Sequence, residues 1–285
     1  MAFQKIQILI LALALPGLAG AQCLPQPDHV VIVIEENHSG HEVLGPHNGC
    51  PYLTSLAAAG ANMQNSYAIE HPSQPNYLDI FTGSHQNIND DSCVAPFSAD
   101  NLASQLIAHR YTFTGYAEGL PSPGSRVCSS GSYARKHVPW AFLTNVPAAC
   151  NQPFTAFQAL KGNYSQLPTV SFVIPDLVDD MHDGSPAEAD QWLQANINAY
   201  YHWAMENNSL LIITWDEDDS TTSNNSIPTI FLGPMVIVGP NTTIMNHYDL
   251  LRTLEDMYHL IHTGHTRTAH DLIPVFNCDH SIQIK

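Results

Sequence analysis

The chain has 285 residues, with 26 acidic side chains against 9 basic ones and a formal net charge of −17. So acidic a surface repels nucleic acid and anionic membranes at neutral pH, which excludes nucleic-acid binding. Hydrophobic residues make up 44% of the sequence, and positions 22–285 suffice for one large domain with a real core.

In chain order, residues 1–21 have the three parts of a secretory signal peptide: an early Lys5, an apolar run over 6–18, and a closing Ala19-Gly20-Ala21. The run is shorter than the ~20 residues a membrane span requires. A secreted or periplasmic destination with no stable membrane anchor is therefore expected. All six cysteines follow this segment, and an even count in an exported chain predicts three disulfides. Short spans favour Cys50–Cys93 and Cys128–Cys150, leaving Cys23 and Cys278 to tie the ends.

Residues 29–34 (HVVIVI) form a β-branched run, the signature of a strand buried on both faces of a parallel sheet. A helix over 51–59 is stopped by Gly60, and a weaker strand follows over 61–68. Residues 76–81 start a short helix after Pro75, 100–109 are amphipathic and helical, and 111–116 are a strand. The Gly-, Pro- and Ser-rich stretch 117–152 reads as a stapled excursion outside the core. Residues 169–174 (TVSFVI) and 210–215 (LLIITW) are further strands, separated by a long helix over 186–206. Residues 229–232 and 235–238 suggest a hairpin or two short strands, and 249–261 a last helix. Alternating strands and helices predict an α/β fold with a mainly parallel central sheet covered on both faces.

Three polar segments sit at the carboxyl ends of apolar strands: 35–39 (EENHS), 176–183, and 216–219 (DEDD). In an open α/β sheet these ends share one edge, so the segments converge. Carboxylates mixed with Asn and His suit a divalent cation such as Mg, Mn, Ca or Zn. A fourth segment, EHPSQPNY, places Ser73 between a strand and a helix with prolines on both sides. A helix N-terminus there favours an anion; the competing role for Ser73 is that of an N-cap.

Taken in order, EENHS, HPSQPNYL, PDLVDDMHDG, TWDEDD, IPTIFLGPMV and NHYDLLRTLEDMY resemble the phosphoesterase family of the alkaline phosphatase superfamily, which contains bacterial acid phosphatases and phospholipases C. The resemblance implies an alkaline-phosphatase-like fold and a secreted phosphatase with a metal-activated serine. It implies that Glu36, Asn37, Asp216 and Glu217 bind the metal and that Ser73 is the nucleophile. It further implies that Asn76 and Asp180 contact the phosphoryl group, and that His182 and His247 are active-site histidines. Independently of the resemblance, His71, two residues before Ser73, joins His182 as a candidate proton donor to the leaving oxygen. The sequence lacks the family's glycine-rich F-Y-D-H-V segment after the Asp216 cluster and the long C-terminal extensions of the phospholipases. Both departures favour a phosphomonoesterase acting on a small phosphorylated substrate, a phospholipid headgroup among the candidates. The alternative is a phospholipase C-type diesterase using the same site. A secreted calcium-binding protein is disfavoured because neither acidic run follows a regular calcium loop.

Overall fold

The computed structural model describes residues 24–45 and 48–277. The expected signal segment and the expected Cys23–Cys278 pairing lie outside the described residues. Among the described residues there are ten strands: β1 (His29–Glu35), β2 (Ala61–Tyr67), β3 (Phe113–Ala117), β4 (Ser129–Ser130), β5 (Tyr133–Ala134), β6 (Asn151–Pro153), β7 (Val170–Ile174), β8 (Ser209–Trp215), β9 (Thr229–Leu232) and β10 (Gly239–Asn246). The α-helices are α1 (Gly40–Val43), α2 (Pro51–Ala59), α3 (Ser73–Thr82), α4 (Leu102–Ala108), α5 (Phe154–Gln158), α6 (Pro186–Asn196), α7 (Asn198–Met205) and α8 (His247–Met257). Eight strands build one sheet in the order β10-β2-β9-β8-β1-β7-β3-β6, and β4 and β5 form a small separate hairpin. Within the eight-stranded sheet only β9 runs antiparallel to its neighbours β2 and β8; the other pairs there are parallel. The mainly parallel α/β architecture expected from the sequence is what forms.

The central strand β1 explains the layering. Val30, Ile32 and Ile34 face a core shared with Tyr77 and Phe81 of α3, Leu106 of α4 and Leu250 and Leu254 of α8. Val31 and Val33 face the opposite core, with Leu53 of α2, Phe157 of α5, Leu193 of α6 and Tyr200 of α7. Alternate side chains of one strand thus anchor both helical layers, which is why its sequence is continuously apolar.

Several elements differ from the sequence-based expectation. Residues 235–238 form no strand, so the expected hairpin is absent. Met235 and Val236 enter the core, and β10 instead lies at the sheet edge, parallel to β2. Its polar sequence GPNTTIMN suits an edge strand, which need not be apolar on both faces. The long helix breaks at Ile197, where φ is −107°, beside an Asn196 side chain that donates to Trp192 O at 3.0 Å. Helix α3 begins at Ser73 rather than Asn76, because Pro75 falls in the first turn, where a missing N–H costs nothing. Part of 117–152 belongs to the core: Tyr133, Val138, Trp140 and Leu143 are buried, and β6 extends the sheet. The indole of Trp140 packs on the backbone of Gly115, where a Cβ would stand 2.0 Å from the ring.

The cysteines also depart from expectation. Cys93 pairs with Cys128, not with Cys50, and Cys50 and Cys150 are free thiols. Cys50 is instead buried beneath α6, its thiol directed at Pro186 O at 3.4 Å. The predicted three-bridge framework is therefore not formed.

Candidate active site

The sheet itself assembles the acidic centre. In the β1–β8 ladder Glu35 is opposite Trp215, so the chain leaves the two strands side by side at Glu36 and Asp216. The Asp216 N–H donates to Glu35 O at 3.1 Å, and the Glu36 N–H donates to Asp180 O at 2.8 Å. Three strand ends, β1, β7 and β8, are thereby tied together at backbone level. Asn37 then turns the chain with a positive φ of 51°, a conformation asparagine tolerates better than most residues. Its backbone N–H reaches Asp216 Oδ1 at 3.3 Å.

Ser73 approaches this edge from β2. It is the first residue of α3, behind Pro72, and only 1% exposed. Its hydroxyl lies 3.0 Å from Glu36 Oε2 and 3.2 Å from Glu217 Oε1. Ser73 is therefore no N-cap: its oxygen faces two carboxylates rather than the helix N–H groups. The loop that delivers it is held by Asn76, whose Oδ1 accepts from the N–H groups of Ile69 and Glu70 at 3.1 Å and whose Nδ2 donates to Glu70 O at 2.7 Å. The side-chain amide expected to meet the phosphoryl group is thus engaged in fixing the turn before the nucleophile.

Around Glu36 the shell is tight. Tyr77 donates to Oε1 at 2.5 Å, and His137 Nε2 lies 3.0 Å from the same oxygen. The other nitrogen of His137 is 3.4 Å from Asp180 Oδ2. Asp180 in turn accepts the His182 N–H at 2.8 Å. His182 places Nδ1 2.8 Å from Asp183 Oδ1 and Nε2 3.1 Å from Lys136 Nζ. On the outer side, His71 Nδ1 is 2.5 Å from Glu217 Oε2, and its ring is partly exposed. His247 stands behind the site, fully buried, against the Asp216 carbonyl at 2.6 Å. Of the residues expected from the sequence, Glu36, Ser73, Asp216, Glu217, His71, Asp180 and His182 are brought together, while Asn37, Asn76 and His247 support from behind.

His137 and Lys136 were not among the expected residues. They lie in the stretch assigned to an excursion, which no periodicity marked as part of the core. The run Arg135-Lys136-His137, three basic residues in a chain so poor in them, was the available signal.

Glu36, Asp180 and Asp216 are at most 2% exposed, and their mutual proximity is unfavourable without a counter-charge. Burial pushes the carboxyls of Glu36 and Asp180 well above their ordinary range, with Asp216 adding repulsion to both. Burial also raises Asp216 to about 8 and Glu217 to about 7. Asp216 Oδ2 is buried without a hydrogen-bond partner. Glu36, His137 and His182 offer ligand atoms within 4.8 Å of one another. This mixed oxygen and imidazole set fits a divalent cation.

A pH dependence follows. A carboxyl raised by folding takes up protons on folding, so its contribution to stability falls as pH rises from the unfolded value near 4 through the folded value. His247, which burial lowers to about 4, acts oppositely, destabilising as pH falls below about 6.5. The cation-free protein is therefore expected to lose thermal stability between about pH 4 and pH 8, from the unfolded values of Asp216 and Glu217 through their folded ones. Differential scanning fluorimetry in chelator checks this; a midpoint that rises over the window contradicts the crowding argument.

Residues 46–261 match the Phosphoesterase family. The phosphatidylinositol-3-phosphatase of Mycobacterium tuberculosis is 49% identical over 254 residues, spanning 89% of this chain and 84% of that protein. An acid phosphatase of Aspergillus fumigatus is 27% identical over 70% of this chain, which spans 48% of the fungal protein. A solved alkaline phosphatase superfamily protein from Vibrio parahaemolyticus shares the fold, with a TM-score of 0.60 at 13% identity, covering 88% of this chain and 71% of that one. With a serine between carboxylates at the sheet edge and the family match across most of its length, this chain belongs to the phosphoesterase family and is a hydrolase of phosphate ester bonds.

Proposed function

We propose that this protein is a secreted acid phosphatase that transfers the phosphoryl group of a phosphomonoester to Ser73 and then to water. The observation that carries the reading is the Ser73 hydroxyl, 3.0 and 3.2 Å from the carboxylates of Glu36 and Glu217. In-line attack forms the Ser73 Oγ–phosphorus bond as the bond to the leaving alcohol breaks. The hydroxyl proton passes to Glu217, whose second oxygen lies 2.5 Å from His71 Nδ1. His71, at the rim of the site, delivers a proton to the leaving oxygen. Water then attacks the phosphoserine, and Ser73 regains its proton.

Glu36, Asp216 and Glu217, with His137 and His182 alongside, would hold the divalent cation. Bound there, it supplies positive charge to the serine alkoxide and to the phosphoryl oxygens. Tyr77 and His137 fix Glu36 in place, and Asn76 fixes the loop carrying Ser73. His182 is oriented by Asp183 on one ring nitrogen, and its other nitrogen lies 3.1 Å from Lys136 Nζ.

Two named relatives favour a monoester: both the mycobacterial and the fungal protein are phosphatases. A phosphorylated lipid headgroup belongs to the same substrate class. Export accords with the signal-peptide pattern of residues 1–21 and with the Cys93–Cys128 disulfide. No helix among the described residues is long and apolar enough to cross a membrane.

The test is an assay of purified protein against p-nitrophenyl phosphate and a choline phosphodiester across pH, with and without chelator. Monoester turnover, best at acidic pH and lost with chelator, is expected. Preferential cleavage of the diester would replace this reading with a phospholipase C-type one.

A further inference from the structure

Lys136 has no part in the mechanism above, yet it stands among the acids of the site. Its ammonium lies 2.8 Å from Asp91 Oδ2 and 3.1 Å from His182 Nε2. It acts favourably on the buried charges of Glu36, Asp180 and Glu217. Asp91 has a second tie: its Oδ1 accepts the Gln74 N–H at 2.9 Å. Gln74 is the residue after the nucleophile, so one carboxylate links the ammonium to the start of α3. Gln74 adds side-chain bonds to the carbonyls of Asp90 and Ser92 at 2.7 and 3.0 Å.

The neighbouring segments are equally fixed. Arg135 donates to Arg126 O at 2.8 Å and to Val94 O at 2.6 Å. The Cys93–Cys128 disulfide joins the two loops that these carbonyls belong to. A cleft of about 110 Å³ opens here, lined by Gln74, Asp91, Lys136 and both disulfide cysteines. Lys136 is thus a cation on a clamped segment, with free space beside it and a hydrogen-bonded route to the nucleophile's own turn.

We propose that Lys136 recognises the second negative charge of a phosphomonoester and so selects monoesters over diesters at this site. The inference rests on the phosphatase reading and refines it. A phosphomonoester carries three unesterified oxygens and, above its second pKa near 6, about two charges; a diester carries two such oxygens and one charge. Serine attack and the cation site serve both. A fixed ammonium 3.1 Å from His182, at the edge of the acidic site, rewards the dianion and leaves a diester with an esterified oxygen against it. Asp91 holds the ammonium at 2.8 Å, and Lys136 is in this sense a specificity residue aligned by Asp91.

The experiment compares wild type with Lys136→Met, Lys136→Gln and Lys136→Arg, each checked for its unfolding midpoint. Steady-state kinetics on p-nitrophenyl phosphate and bis-p-nitrophenyl phosphate give the monoester-to-diester ratio of kcat/KM. Calorimetry near pH 8, with inorganic phosphate as the dianion and dimethyl phosphate as the monoanion, gives the same comparison without turnover, so failure of the hydrolysis reading does not obscure the result. In both neutral variants, inorganic phosphate binding and the kcat/KM ratio are expected to fall by about 10- to 100-fold, the range for losing a charged hydrogen bond. Lys136→Arg is expected to restore most of the loss. Equal losses on dianion and monoanion, no loss, or a lowered unfolding midpoint with an unchanged ratio would each overturn the proposal in favour of a purely structural ammonium.

Discussion

Ser73→Ala is expected to reduce kcat on a phosphomonoester by at least about 10³-fold, because removing a nucleophile typically costs several powers of ten. The fold should survive. Glu36 keeps its bonds to Tyr77 and its contact with His137, and the loop before Ser73 is held by Asn76 rather than by the hydroxyl. Alanine is also a good residue at the first position of a helix, so α3 loses little. The variant should bind inorganic phosphate close to wild-type affinity, since the charge-bearing groups remain. Rapid quenching of wild type with a slow substrate should trap phosphate on the peptide containing Ser73, and mass spectrometry of the alanine variant should find none. Retention of more than about a hundredth of wild-type kcat would show that water attacks the substrate directly.

The parts of this site that the sequence disclosed are those fixed by strong local patterns. HVVIVI and LLIITW are too apolar to be anything but buried strands, and parallel pairing forces their polar exits, Glu36 and Asp216, to lie side by side. Ser73 was found from its prolines and the family resemblance. Its hydrogen bonding was not foreseeable, because whether a serine beside a helix caps it or faces away depends on where the helix starts. Pro75 in the first turn moved that start to Ser73 itself. His137 and Lys136 escaped notice because their segment has no period: its order comes from long-range contacts, such as Trp140 against Gly115 and Arg135 against the loop around Cys93. Asn76 and His247 are placed differently from the other expected residues. The expected residues are buried near the site, but their polar atoms are taken by backbone, the one closing the 69–72 turn and the other bracing the Asp216 carbonyl. The strand β10 was missed for a physical reason as well, since an edge strand need present no apolar run.

A cation should reverse the pH dependence of the free protein, and Asp216 is the residue that exposes the effect. Asp216 is 2% exposed, one oxygen lacks a partner, and burial lifts its carboxyl to about 8. Ionising it beside Glu36 and Glu217 is costly until a positive charge enters. At a cation concentration a hundred times Kd, binding adds about 2.7 kcal/mol to stability. For a chain of this size that corresponds to a rise in Tm of roughly 5–10 °C. The rise should be largest near pH 8 and smaller near pH 5, where protons compete with the cation for these carboxyls. Asp216→Asn removes one of the repelling charges while keeping an oxygen for the Asn37 N–H. In chelator at pH 8 this variant should therefore melt above wild type, yet gain little from added Mg, Mn, Ca or Zn. Its kcat should fall by more than about 100-fold, the upper range for disturbing a metal ligand's surroundings. These two signs separate a catalytic cation from a structural one. If Asp216→Asn instead melts below wild type in chelator and keeps activity in proportion to folded protein, Asp216 is a packing residue and the cation site lies elsewhere.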